Sequence, residues 1–322
     1  MKHLKLISLS LIIIGLSLLS GCTKKVDTPA TTNTSQNDQT GSTEADAGMS
    51  DANDYISNKI GGGSNYRVAA YNLPCGIIKV DSTITNGITT YNLHYGGQTP
   101  CGYKYKSGII SFALQSGTAF NQQNAVCAIT FTNYVVTVQA TGSTVTLNGT
   151  ITDKNVSGGY LWQTVVDTIT VVHQLRGALQ ITYANGQIRP LNYYQLRTWK
   201  SNGSWQGLSF SVAGDTTING YTNVYQSGLT YTGSYNYYTQ LTSPFTWSYC
   251  SAITSFVLET GEAKMNVTIP GVSNAYVDVA AGYYLNYSNL QSTPEPSNDC
   301  LTNAYKITEV FGTTTTTTYQ LY

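Results

Sequence analysis

Three histidines, His3, His94 and His173, bound the imidazole chemistry open to this 322-residue chain. His3 lies in an N-terminal leader, which leaves two. His94 follows Leu93 and shares a strand face with Asn92, so it reads as a wet surface residue rather than a base. Paired carboxylates are the other route to acid–base work. Glu259 and Glu262 flank Thr260-Gly261 and are expected at a hairpin tip, as solvated charges. Asp278 falls on the polar side of the strand Val277 to Val279. The sequence holds no Gly-x-Ser-x-Gly elbow, no His-Glu-x-x-His pair and no phosphate-cradling Gly-x4-Gly-Lys-Ser/Thr. The expectation is therefore a protein that is not an enzyme and uses no cofactor.

The aromatic residues are the strongest hint of function. Tyr193, Tyr194, Trp199, Trp205, Tyr221, Tyr225, Tyr231, Tyr235, Tyr237, Tyr238, Trp247 and Tyr249 crowd one part of the chain. Flat apolar rings with polar edges stack on sugars or on partner proteins, and they also fill β cores and pair across strands. Trp199, Trp205, Tyr235, Tyr237 and Trp247 are the candidate ligand-binding set. An exposed row of them would mark a glycan site.

Six cysteines are present. Cys22 ends a leader described below, and Cys75, Cys101, Cys127, Cys250 and Cys300 remain. No Cys-x2-Cys or His-x3-His spacing occurs, which argues against a metal site. Cys75-Gly-Ile-Ile-Lys-Val opens a strand and Cys101 opens another after Tyr91 to Gly97. In the second half, Cys250-Ser-Ala-Ile and Cys300 repeat that grammar. The echo suggests two similar halves, with Cys75 bonded to Cys101, Cys250 bonded to Cys300, and Cys127 a small buried thiol.

The elements that must position these groups are strands. The dominant period beyond Tyr66 is two, as in Thr144 to Thr152, where Val145, Leu147 and Ile151 share a face. Strands are expected over 76–81, 89–95, 108–114, 128–138, 144–152, 165–173, 178–183, 207–213, 228–234, 252–258, 265–269, 275–281 and 304–310. Asn86-Gly87, Asn148-Gly149, Asn185-Gly186, Asn219-Gly220 and Thr260-Gly261 supply turn signals. No apolar stripe at helical spacing follows Ile60. The fold class is all-β, with antiparallel sheets in a sandwich or an extended meander. Only 10% of residues are charged, against 26 Tyr and 30 Gly. That composition suits half-buried strands joined by tight turns.

Residues 1–21 begin with Lys2 and Lys5, run apolar from Leu6 to Leu19 and end Leu19-Ser20-Gly21-Cys22. The run is short for a permanent membrane span, and small residues precede the cysteine. This is a lipoprotein signal peptide, with Cys22 the lipidated residue. Two or three acyl chains hold a protein at a membrane far more firmly than one. Without residues 1–21, Lys plus Arg falls from 16 to 14 against 16 Asp plus Glu. No basic face for nucleic acid is implied. Residues 22–63 are polar and read as a flexible tether, residues 64–186 as a first β unit and residues 187–322 as a second.

Taken together, Cys75, Tyr91 to Gly97 with Cys101, Ile129-Thr-Phe-Thr-Asn-Tyr, Leu147-Asn-Gly-Thr-Ile-Thr-Asp-Lys-Asn-Val-Ser-Gly-Gly, Leu196-Arg-Thr-Trp, Ile218-Asn-Gly-Tyr and Leu241 through Cys250 carry a resemblance. Over about Cys75 to Ile307 the chain resembles the β-rich lipoproteins of Bacteroidota. Where that family shows Cys-Asp at its last cysteine, this chain has Ser297-Asn-Asp-Cys300. The resemblance implies an envelope lipoprotein and brings no activity with it. The expected role is a lipid-anchored binding or structural module at the outer membrane, with the membrane, a glycan or an envelope protein as partner. Glycan capture by the Tyr/Trp cluster is the alternative, and an envelope hydrolase a third. Thr23, Lys24 and Lys25 lack the Asp that retains lipoproteins at the inner membrane, and which face of the outer membrane the module occupies is left open.

Overall fold

The computed structural model describes residues 75–101, 104–139, 142–230, 235–251, 255–284, 294–297 and 300–321. The leader, Cys22, the tether and Tyr231 lie outside the described residues. Among the described residues, sixteen strands form one antiparallel sheet. They are β1 (Ile77–Thr85), β2 (Ile88–Cys101), β3 (Lys104–Ser116), β4 (Ala125–Val138), β5 (Thr144–Asn155), β6 (Val171–Tyr183), β7 (Ile188–Lys200), β8 (Ser209–Gly214), β9 (Thr216–Ile218), β10 (Tyr221–Leu229), β11 (Asn236–Cys250), β12 (Ser255–Val267), β13 (Ala275–Tyr284), β14 (Glu295–Pro296), β15 (Ala304–Phe311) and β16 (Thr314–Leu321).

The path is a meander, β1 through β7 in order, then β10, β11, β12, β13, β15 and β16. The all-β antiparallel class expected from the sequence is what the chain adopts. β8 and β10 share the slot between β7 and β11, end to end. Leu191 to Tyr193 of β7 pair with β10, and Gln195 to Lys200 pair with β8. On the far side Phe245 to Ser248 of β11 pair with β8, while Asn236 to Gln240 pair with β10. Where the two meet, the Asp215 amide donates to the carbonyls of both Tyr194 and Val224.

Period-two patterning puts one face of this sheet in the dry. The inner face of β2 to β7 carries Leu93, Ile110, Phe112, Ile129, Phe131, Tyr134, Leu147, Ile151, Leu175, Leu179 and Tyr193 in one cluster. A second cluster on β8 and β10 to β15 holds Val212, Tyr237, Leu241, Phe245, Trp247, Met265, Val277 and Ile307. Burying one such side chain stabilises the fold by roughly 1.5–3 kcal/mol. The sheet itself runs unbroken through residues 186 and 187, with Thr182 paired to Ile188. Two core clusters thus lie under one continuous sheet, and Leu191 and Tyr193, beyond the expected boundary at 186, belong to the first.

Several turn signals act as expected. Asn86-Gly87, Asn185-Gly186 and Asn219-Gly220 join β1 to β2, β6 to β7 and β9 to β10. Asn148-Gly149 and Thr260-Gly261 instead lie inside β5 and β12. Asn148 Oδ1 accepts the Asn133 amide at 2.7 Å, stitching a bulge in β4. Gly149, at φ +130°, sits so close to β6 that an added Cβ would stand 2.4 Å from the Ala178 carbonyl oxygen. Gly177 on β6 mirrors it, with a Cβ at 2.3 Å from the Thr150 oxygen. The pair marks a crease where a pleated sheet bends.

The strand expected over 165–173 begins only at Val171. Before it lies α1 (Gln163–Val166), a single turn capped by the Asp167 amide on the Gln163 carbonyl. β7, β11 and β16 carry strands that the apolar alternation had not marked.

Candidate functional site

The five aromatic candidates do not form one exposed row. Tyr237 and Trp247 are buried in the second core cluster, and Tyr235 packs against it. Trp199 is half-buried within a ladder of rings that runs His173, Trp199, Phe210, Trp247, with centroids 5.1, 5.0 and 5.1 Å apart. Trp205, 60% exposed in the loop between β7 and β8, is the one that stands open. Trp199 and Trp247, with His173 and Phe210, join β6, β7, β8 and β11 on the inner face.

Both expected disulfides are present. Cys75 bonds Cys101 across the β1–β2 hairpin, with Cα atoms 5.5 Å apart, and Cys250 bonds Cys300 at 5.3 Å. The second ties the end of β11 to the segment before β15, where Thr302 Oγ1 donates to the Leu258 carbonyl. Cys250 closes a strand and Cys300 precedes one, so the bridges do not repeat a single topology. Cys127 is free and buried.

Two clusters of polar side chains are brought together, one on each face. The inner cluster lies beside the ring ladder. Cys127 and Asp153 are register partners on β4 and β5, and His173 and Arg197 are register partners on β6 and β7. Asp153, His173, Gln195 and Arg197 are all 3% exposed or less. His173 Nδ1 lies 3.1 Å from Asp153 Oδ1 and 3.2 Å from Oδ2. Phe120 covers the imidazole from one side, edge to face at 5.3 Å. Arg197 donates from Nε and Nη2 to Gln195 Oε1 at 2.9 and 2.8 Å. His173 Nε2 has no hydrogen-bond partner among the described residues.

Thiol, carboxylate and imidazole thus lie on three neighbouring strands, but in the wrong order for a nucleophile. Activation of a cysteine needs the imidazole next to the sulfur. Here the carboxylate is the neighbour. Burial, and then the Asp153 charge, push the Cys127 thiol well above its ordinary range, which favours the protonated form.

The outer cluster lies on β11, β12, β13 and β15. Tyr238, Asn266 and Tyr276 form one register row. Gln240, Lys264, Asp278 and Thr308 form the next, and Glu262, Ala280 and Lys306 the third. Every one of these side chains is partly open to solvent. Asn266 Nδ2 donates to Gln240 Oε1 at 3.0 Å. Lys264 Nζ sits 3.7 Å above the Tyr276 ring, a cation–π contact that holds both side chains in place. Tyr221 stacks on Tyr238 at 5.9 Å, and Asn219 Nδ2 donates to the Tyr238 hydroxyl at 2.7 Å.

Glu262 belongs to this cluster, because Thr260-Gly261 is strand rather than hairpin tip. Burial, and then the Glu262 charge, push Asp278 up to about 6.

No family model, curated protein or solved structure matches the chain. The chemistry of the site is read from its own geometry. The outer cluster sets Tyr238 and Tyr276 two strands apart, about 9.5 Å, with an amide row and a charged row beside them.

His94, expected to be a surface residue, is one. Its Nε2 and the Asn92 amide both meet the Asp81 carboxylate, at 3.1 and 2.8 Å. Hydrogen bonds from Lys79 first, then from Asn92 and His94, hold Asp81 well below the usual carboxylate range.

Proposed function

We propose that the protein is a lipid-anchored component of the cell envelope, acylated at Cys22, whose β body is a non-enzymatic binding module. The leader ending in Leu19-Ser20-Gly21-Cys22 and the likeness to Bacteroidota lipoproteins support the anchor. Two disulfides suit an oxidising compartment. The observation that carries the binding reading is the Tyr238–Asn266–Tyr276 row on the outer face, flanked by Gln240 and Lys264. Tyrosines held in register beside amide donors and acceptors favour a glycan as the ligand, with sugar rings stacked on the tyrosine faces and hydroxyls bonded to Gln240 and Asn266.

Two experiments test it. Labelled palmitate is incorporated into the wild-type chain in bacteria and not into Cys22→Ala. On a glycan array, the wild-type chain binds at least one oligosaccharide class, and Tyr276→Ala weakens that binding by about tenfold or more. An array with no bound glycan, or binding indifferent to Tyr276 and Tyr238, sinks the glycan reading.

A further inference from the structure

Among the described residues the main path of the meander ends in two edges, β1 and β16, and they differ. β1 carries Lys79 and Asp81 and begins at a register shift between Ile77 and Lys79. Charges and bulges of this kind keep an edge from pairing with another chain. β16 has neither. Its sequence, Thr-Thr-Thr-Thr-Thr-Tyr-Gln-Leu, holds no charge and no proline. It pairs with β15 over eight consecutive positions without a shift, Phe311 with Thr314 through Ala304 with Leu321. Thr314 to Thr318 are exposed on both faces of the strand, and among the described residues β16 pairs on one side only.

We propose that β16 is an interaction edge for a second copy of the same chain, the two β16 strands pairing antiparallel about a two-fold axis. Such an axis sets a strand against its own sequence, so any charge near the centre meets an identical charge, and like charges placed opposite are destabilising. A run of neutral threonines is the composition that tolerates this. Threonines opposite one another hydrogen-bond through their hydroxyls and fit a pleated surface. The edge supplies the main-chain donors and acceptors, and the repeat lets the two strands meet in more than one register. β1 is a poorer partner, because its Lys79 and Asp81 would meet threonines.

The test uses the purified full chain. In single variants Thr316→Cys, Thr317→Cys and Thr318→Cys, mild oxidation gives a disulfide-linked dimer at one or more of the three positions. Thr132→Cys, exposed on β4 in mid-sheet, serves as the control and stays monomeric. A chain with Thr316→Lys and Thr318→Lys, and one with Glu at both positions, each dimerise about tenfold or more weakly than wild type. Mixing the two restores a heterodimer, which also shows that both fold. The proposal is overturned if none of the three cysteines cross-links above the control, if the Lys chain associates as well as wild type, or if a cysteine on β16 bonds preferentially to Ser82→Cys on β1.

Discussion

The inner polar cluster of β4 to β7 and the outer cluster of β11 to β15 use the same residue types to opposite ends. Each has carboxyl, amide and cationic side chains on neighbouring strands. In the first the groups are removed from water, and the imidazole spends one nitrogen on Asp153 while the guanidinium grips Gln195. In the second they are partly open to solvent, Lys264 rests on Tyr276, and Asp278 feels the charge of Glu262. Burial turns polar chemistry towards architecture, because pairing offsets much of the cost of removing such groups from water, as Asp153 with His173 and Gln195 with Arg197 do here. Exposure leaves the same chemistry available to a ligand.

The sharpest way to break this contrast is to strip one partner from each face. Asp153→Ala removes the carboxylate that receives the His173 Nδ1 proton, leaving a buried imidazole without an acceptor. A loss of about 3–5 kcal/mol in unfolding free energy is expected by urea denaturation, with no change in the outer face's ligand binding if the variant is kept folded. Tyr276→Ala is expected to do the reverse, abolishing binding while costing under about 1 kcal/mol. If Asp153→Ala costs no more than Tyr276→Ala, the inner cluster is not structural.

The bridges sharpen the comparison along the chain. Cys250–Cys300 spans 50 residues and Cys75–Cys101 spans 26. On the chain-entropy account, serine at both ends of the longer one costs about 4 kcal/mol and of the shorter about 3.5 kcal/mol. Loss of the Cys75–Cys101 bridge is expected to loosen β1 and β2 selectively, seen as faster amide exchange in that hairpin with β11 to β15 unchanged. Uniform loosening would show that the two core clusters unfold as one.

These contrasts also show what the sequence can disclose. Alternation over Thr144 to Thr152 reveals its strand because Val145, Leu147 and Ile151 are all apolar on the inner face. β7 hides for the opposite reason: its inner face reads Leu191, Tyr193, Gln195, Arg197, Trp199, and the two polar members break the pattern where the inner cluster needs them. The pairing of the cysteines is as expected, although the strand positions that suggested it are not: Cys101 and Cys250 close β2 and β11 rather than open strands. The use of Asn148-Gly149 was not legible, since a dipeptide that suits a tight turn equally suits a crease, and only the neighbouring strand's backbone decides. Glu262 was misplaced by the same ambiguity at Gly261. The aromatic cluster was visible as composition, but which rings fill the core and which face water depends on register, fixed by pairings far apart in sequence.

The smallest expected effect concerns pH and separates the outer cluster from ordinary surface charge. Asp278 is pushed up to about 6 from 3.8, by burial and then by Glu262. Between those values the folded chain holds a proton that the unfolded chain releases. The native state therefore binds more protons, and stability falls as pH rises through that window, to level off above about 6. The contribution is full below about pH 4 and absent at neutral pH. Because the carboxyl is half open to solvent, screening reduces the effect to about 1 kcal/mol. Asp278→Asn keeps the shape and removes the titration. Urea midpoints for wild type and variant, taken at about pH 4.5 and about pH 7.5, subtract out the other carboxylates. The wild type is expected to lose about 1 kcal/mol more than the variant over that interval. Parallel curves would show that Asp278 keeps an ordinary carboxylate affinity for its proton and that its place on the outer face does not raise it.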